Sequence, residues 1–176
     1  IADTIDERDE TVVIDMSTVE NGTESAIQQS TVTIIDNDTI FITLSVNKTV
    51  IVENGGVASL AATATVGLVS SENIIVTLQK SGTAKDGIDY ALNATIIVPA
   101  GSSSGSSTLT ALNDTLFEKD ELVTIDIDTV ENATEEGVQQ KSITIMDDDL
   151  PPTVTLSVAA INKRVNESAP GNATQV

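Results

Sequence analysis

Residues 114–149 read DTLFEKDELVTIDIDTVENATEEGVQQKSITIMDDD, and residues 3–38 read DTIDERDETVVIDMSTVENGTESAIQQSTVTIIDND. Overlaid at an offset of 111 with no gap, 20 of these 36 positions are identical. The likeness resumes after a one-residue insertion, where Ile42-Thr-Leu-Ser-Val46 matches Val154-Thr-Leu-Ser-Val158. A period of this length is a whole domain, too long for a solenoid unit. It sets three boundaries. Residues 39–150 form one complete unit, 1–38 the C-terminal part of a preceding unit, and 151–176 the start of a following one. The first residues lack the basic and apolar regions of a signal peptide, so the segment reads as a window onto a longer array. A two-strand fragment is marginal alone. Residues 1–38 are therefore expected to lean on the complete unit or on a neighbouring chain.

Within the complete unit, apolar runs alternate with turn residues at strand spacing. Strands are expected near 41–46, 57–66, 74–80, 94–98, 107–112, 121–130 and 138–147. Leu60, Ala62, Ala64 and Val66 share one face of their strand, as do Val123, Ile125 and Ile127. Asn54-Gly55-Gly56, Ser81-Gly82 and Pro99-Ala-Gly101 supply the breaks. Ser102 to Ser107 reads as a mobile hairpin tip. Seven short strands in about 110 residues describe an all-β, two-sheet sandwich. The small Ala and Val side chains imply a thin core.

Apolar residues make up 40% of the chain, with two Phe, one Tyr and no Trp. No run of 18 apolar residues exists to span a membrane. Absence of Cys and His removes thiol nucleophiles, imidazole bases, disulfides and the usual zinc sites. A formal charge of −19 makes nucleic acid and anionic lipid poor partners. Of 27 Asp and Glu, ten lie in residues 1–38 and twelve in 113–149; only Glu53, Glu72, Asp86 and Asp89 fall between. Acids present only for solubility would be spread evenly. Paired-carboxylate catalysis would need a substrate cleft and two acids in unlike environments. These acids crowd together and few aromatics accompany them, so no enzyme is expected.

Asp114, Glu118, Asp120 and Glu121 open one strand, and Asp147, Asp148 and Asp149 close the next. In a hairpin, both sets meet at the same end. Such crowding raises carboxyl pKa values and costs stability unless a counter-ion is present. Calcium accepts six to eight oxygens in flexible geometry, whereas magnesium demands a tighter octahedron, so calcium is favoured. No twelve-residue EF-hand loop is present. The same pattern recurs in the first unit as Asp3, Glu7, Asp9, Glu10, Asp36 and Asp38.

The stretch Gly87-Ile-Asp89-Tyr90, then Pro99-Ala-Gly101, then Asn113-Asp114-Thr-Leu-Phe-Glu118-Lys-Asp120-Glu121, ending Ile145-Met-Asp147-Asp148-Asp149, resembles a Calx-beta domain. The resemblance covers the complete unit, and 1–38 is similar to the family's final third. It implies seven-stranded immunoglobulin-like sandwiches in tandem. It also implies a calcium ligand set of Glu53, Asp89, Asp114, Glu118, Glu121 and Asp147 to Asp149. Asn113 stands where exchanger-type members of the family place an acid, and Asn37 replaces the middle acid of the first triplet.

Eight Asn-x-Ser/Thr sequons occur, with Asn21, Asn93 and Asn132 the candidate glycosylation sites. Together these features suggest a structural calcium-binding repeat of an extracellular fibre, adhesin or matrix glycoprotein. Its expected partners are neighbouring repeats and identical subunits in a filament. A calcium sensor on a membrane protein and a non-binding spacer are the alternatives.

Overall fold

The computed structural model describes residues 3–26, 28–65 and 67–157. Fourteen strands appear in chain order, and no helix occurs among the described residues. The first three are β1 (Ile5–Asp6), β2 (Glu10–Asp15) and β3 (Gln29–Ile34). The complete unit follows with β4 (Phe41–Val46), β5 (Val50–Val52), β6 (Val57–Ala64), β7 (Val69–Ser70), β8 (Ile74–Gly82) and β9 (Tyr90–Leu92). It finishes with β10 (Thr95–Val98), β11 (Ser104–Ala111), β12 (Glu121–Glu131), β13 (Thr134–Glu135) and β14 (Lys141–Met146).

Two five-stranded sheets pack as a sandwich, in orders β10-β8-β12-β14-β5 and β13-β4-β6-β11-β9. Alternation decides which side chains lie between them. Ala58, Leu60, Ala62 and Ala64 of β6 are buried, as are Val123, Ile125 and Ile127 of β12 and Ile143 and Ile145 of β14. Val66 lies outside the described residues. Beyond Ile127 the register with β8 shifts by a bulge, so Asp128 and Thr129 both face outward and the alternation stops.

All seven expected strands are present. The shorter β5, β7, β9 and β13 are additional, each too brief to carry its own apolar pattern. Two boundaries need correction. Ser104 to Ser107 belong to β11 and pair with Leu60 to Thr63, so this tract is not a hairpin tip. A Cβ on Gly105 would lie 2.0 Å from the Ile97 carbonyl oxygen. The small residues there allow a close backbone approach. Residues 138–140 precede β14 as loop; Val138 is 84% exposed, and the Gln139 side chain accepts the Leu44 N–H at 3.0 Å in place of a strand.

Residues 1–38 pack differently from their counterparts in the repeat. The β2–β3 hairpin pairs Glu10 with Ile34 through Asp15 with Gln29, yet every residue in both strands is exposed. Only β1 joins the complete unit, running parallel to β7 with Ile5 opposite Val69 and Asp6 opposite Ser70. Ile125 is fully buried while its counterpart Ile14 is 58% exposed. Ile125→Ala should therefore cost about 2–5 kcal/mol in a urea melt. Ile14→Ala should fall within about 0.5 kcal/mol of the parent.

Candidate metal centre

Glu53 directly follows β5, and its N–H donates to the Met146 carbonyl at 2.9 Å. The chain then turns sharply at Asn54-Gly55-Gly56. Gly55 has φ +74°, and a Cβ on Gly56 would lie 2.0 Å from the Val52 carbonyl oxygen. The turn leaves the Glu53 side chain only 8% exposed, with one carboxylate oxygen accepting the Asp114 N–H at 2.7 Å. Asp114 follows β11 and its own carboxylate accepts the Leu116 N–H at 2.6 Å. Across the pole, Asp147 leaves β14 and accepts from the Glu118 N–H at 3.2 Å and the Asp149 N–H at 3.3 Å. Carboxylate oxygens of Glu53, Asp114 and Asp149 all lie within 4.8 Å of one another.

Beside this trio, Asp89, Glu118 and Glu121 line a narrow cleft with Glu53, Asp147 and Lys119. Asp89 is fixed at the turn before β9, accepting the Lys85 N–H at 2.6 Å and donating its own N–H to the Lys85 carbonyl at 2.9 Å. Seven of the eight acids expected in the complete unit thus meet at one pole. Asp148 is exposed, and its charge acts on Asp149 beside it. Asp120 is exposed and lines neither group.

The electrostatics follow from the crowding. Loss of solvation raises the Glu53 pKa; the Asp114 amide offsets part of this, and the charges of Asp114, Asp149 and Asp147 add to it. Asp149 is also raised, first by desolvation and then by Asp147, Asp148 and Asp114. Glu121 moves furthest, to about 7, through desolvation, a hydrogen bond and charge from Asp89, and the charge of Glu118, with Lys85 opposing. Backbone amides occupy only part of the lone pairs, and the oxygens left over converge from four separate segments. Such an all-oxygen set fits a hard divalent cation in irregular geometry.

The sequence model of the Calx-beta domain matches residues 1–38 and 36–149. The chain belongs to the Calx-beta domain family. Among solved structures, the apo form of the Calx CBD1 domain superposes with a TM-score of 0.51 at 22% identity, over 62% of this chain and 99% of that one. The calcium binding domain CBD12 of CALX1.1 superposes with a TM-score of 0.50 at 20% identity, over 62% of this chain and 44% of that one. These likenesses show a shared fold. No curated protein matches the chain.

The partial Calx-beta repeat at the start carries a related arrangement. Asp3, Glu7, Glu10, Asp36 and Asp38 line one cleft together with Arg8. The Glu7 N–H donates to Asp36 at 3.3 Å, reproducing the Glu118–Asp147 bond one period earlier, and Asp9 accepts the Asp36 N–H at 3.1 Å. Desolvation, then the charges of Asp3, Glu10 and Asp36, raise Glu7. At the repeat offset, positions matching Glu53 and Asp89 fall before residue 1. Asp6 is an acid that recurrence misses, since its counterpart is Phe117. Its pKa is raised by desolvation, then by Asp36 and Asp38, with the Ile40 amide opposing.

The candidate glycosylation sites differ in availability. Asn21 and Asn132 occupy matching positions with φ of 56° and 61°. The Asn132 side-chain amide donates to the Asn73 carbonyl at 2.8 Å. Asn93 is exposed; its side-chain oxygen accepts the Thr95 N–H at 3.2 Å and its backbone carbonyl accepts the Ser107 hydroxyl at 3.4 Å, leaving the side-chain nitrogen free of protein partners among the described residues.

Without a cation, folded Glu121 holds its proton more tightly than an unfolded glutamate with the ordinary value of 4.5. Its stabilising share is thus fully present below that value and lost as pH rises through about 7. Thermal melts in chelator should fall across this window, and Glu121→Gln should flatten that part of the profile.

Proposed function

We propose that this chain is a structural calcium-binding segment of an extracellular fibre, adhesin or matrix protein, in which calcium stiffens the joints between tandem Calx-beta repeats. The convergence of Glu53, Asp114 and Asp149 oxygens within 4.8 Å carries the reading. Calcium held there, with Asp147 and the Asp89–Glu118–Glu121 group beside it, would relieve repulsion that side chains leave largely unneutralised. Asp147 to Asp149 immediately precede the next repeat, so an ion bound there ties the end of one domain to the start of another. Pro151-Pro152 restricts that joint further. Residues 39–150 act as the complete repeat, flanked by 1–38 and 151–176 as parts of its neighbours. Binding and support, rather than catalysis, suit acids that crowd together instead of flanking a substrate cleft.

The sensor reading has one observation in its favour. Residues 113–120, which carry Asp114 and Glu118, are exposed and belong to no strand, so an ion could reorganise them. Affinity separates the two: a rod is filled at millimolar calcium, a sensor at micromolar levels. Asn93 is the best-placed sequon for a glycan if the protein is secreted.

Calcium titrated into the chelated protein should release or absorb heat and raise the melting temperature. At a hundredfold excess over Kd the gain is about 2.7 kcal/mol. Glu53→Gln and Asp114→Asn should each weaken binding at the trio. Identical melts with calcium and with chelator would reduce the domain to a spacer. Expressed in a glycosylating secretory host, the chain should carry glycan at Asn93 ahead of Asn132, as read by peptide mass spectrometry.

A further inference from the structure

Among the described residues, β1 is the strand of the first repeat that pairs with the complete unit, and the chemistry of this contact is specific. Thr4 to Arg8 lies along Val69 to Glu72. The Val69 N–H donates to the Thr4 carbonyl at 3.3 Å, and the Ser71 N–H and hydroxyl donate to the Asp6 carbonyl at 3.1 and 3.2 Å. Arg8 then pairs with Glu72 at 2.9 Å. Ile5 becomes half-buried in this contact.

One period later the same segment reads Thr115-Leu116-Phe117-Glu118-Lys119. It preserves the apolar residue facing Val69, the acid, and a cation where Arg8 meets Glu72. Yet this copy is uncovered: Leu116 is 60% and Phe117 53% exposed. We propose that Thr115–Lys119 is the docking strand for the next Calx-beta repeat, lying parallel against that repeat's counterpart of Val69–Glu72. This rests on the tandem-array reading and names the contact that makes the joint.

A paired substitution supports the match. In the observed joint Asp6 and Ile40 line one pocket, and the Ile40 backbone amide is near enough to hold the Asp6 pKa down. Across the one-residue insertion, Ile40 corresponds to Pro152 and Asp6 to Phe117. Proline has no N–H to offer, and phenylalanine needs none. The polar contact is exchanged for an apolar one at both partners together. The Ile40 carbonyl, which accepts the Thr134 N–H at 2.9 Å, remains available in a proline. Two backbone hydrogen bonds, one hydroxyl hydrogen bond and one exposed ion pair are a weak association in trans, but covalent linkage supplies a high effective concentration.

The test uses residues 1–153 followed by a second copy of residues 42–150, preserving the native Pro151-Pro152 joint. The chain has no cysteine, so introduced thiols report alone. Leu116→Cys with Val69→Cys in the appended copy should form a disulfide under mild oxidation, because adjacent strands bring Cα atoms within about 4.4–6.8 Å. Ile5→Cys with Val69→Cys in the first copy is the reference for the observed joint. Leu116→Cys with Ile97→Cys in the appended copy measures random collision. Bond formation at a rate matching the reference and about tenfold above collision supports the docking. A rate no faster than collision overturns it, as does failure of the reference pair. Calcium binding is titrated on the same proteins. Binding without cross-linking sinks the docking alone, and cross-linking without binding sinks the calcium reading alone.

Discussion

Carboxylates from four separate segments are held together here by the backbone. Glu53 cannot retreat from Asp114 because it accepts that residue's N–H, and Asp147 is tied in the same way to Glu118 and Asp149. Each bond stabilises one charge while fixing it beside others. The raised pKa values of Glu53, Glu121 and Asp149 express what remains unrelieved. A fold that crowds like charges must draw the necessary free energy from elsewhere, and here it comes from ladders and an apolar interior that run up to the pole.

In the proposed array, that pole is also where repeats join. The loop bearing Asp114 and Glu118 contains the Thr115–Lys119 segment, and the Asp147–Asp149 triplet runs directly into the following linker. On the proposed reading, ion binding and inter-repeat packing share one short stretch of chain, so ordering the loop for one task would assist the other. In the proposed array, Asp6 beside Ile40 and Phe117 beside Pro152 would be two chemical solutions at this joint, one polar and one apolar.

Burial, unlike sequence, is not repeated. Ile14 and Ile125 stand at matching positions in nearly matching hairpins, yet one is exposed and the other sealed. The difference lies in the strands opposite: β12 and β14 face a second sheet, while β2 and β3 face none among the described residues. A β-hairpin is a surface awaiting a partner, and its stability belongs to the pair.

The period of 111, the alternation along β6 and β12, and the placing of acids before and after one hairpin were legible by themselves, because each depends on spacing along the chain. So was the grouping of Asp114, Glu118 and Glu121 with the final aspartates, since an antiparallel hairpin returns to its own start. Glu53 and Asp89 were reached only through family resemblance; parallel pairing of β5 with β14, and the turn before β9, bring them to the pole. The extension of β11 through Ser104–Ser107, the exposed position of Asp148 and the part played by Asp6 were decided in three dimensions. Each turns on what lies across from a residue, a carbonyl at close range, open solvent or another repeat, and local pattern carries no record of that.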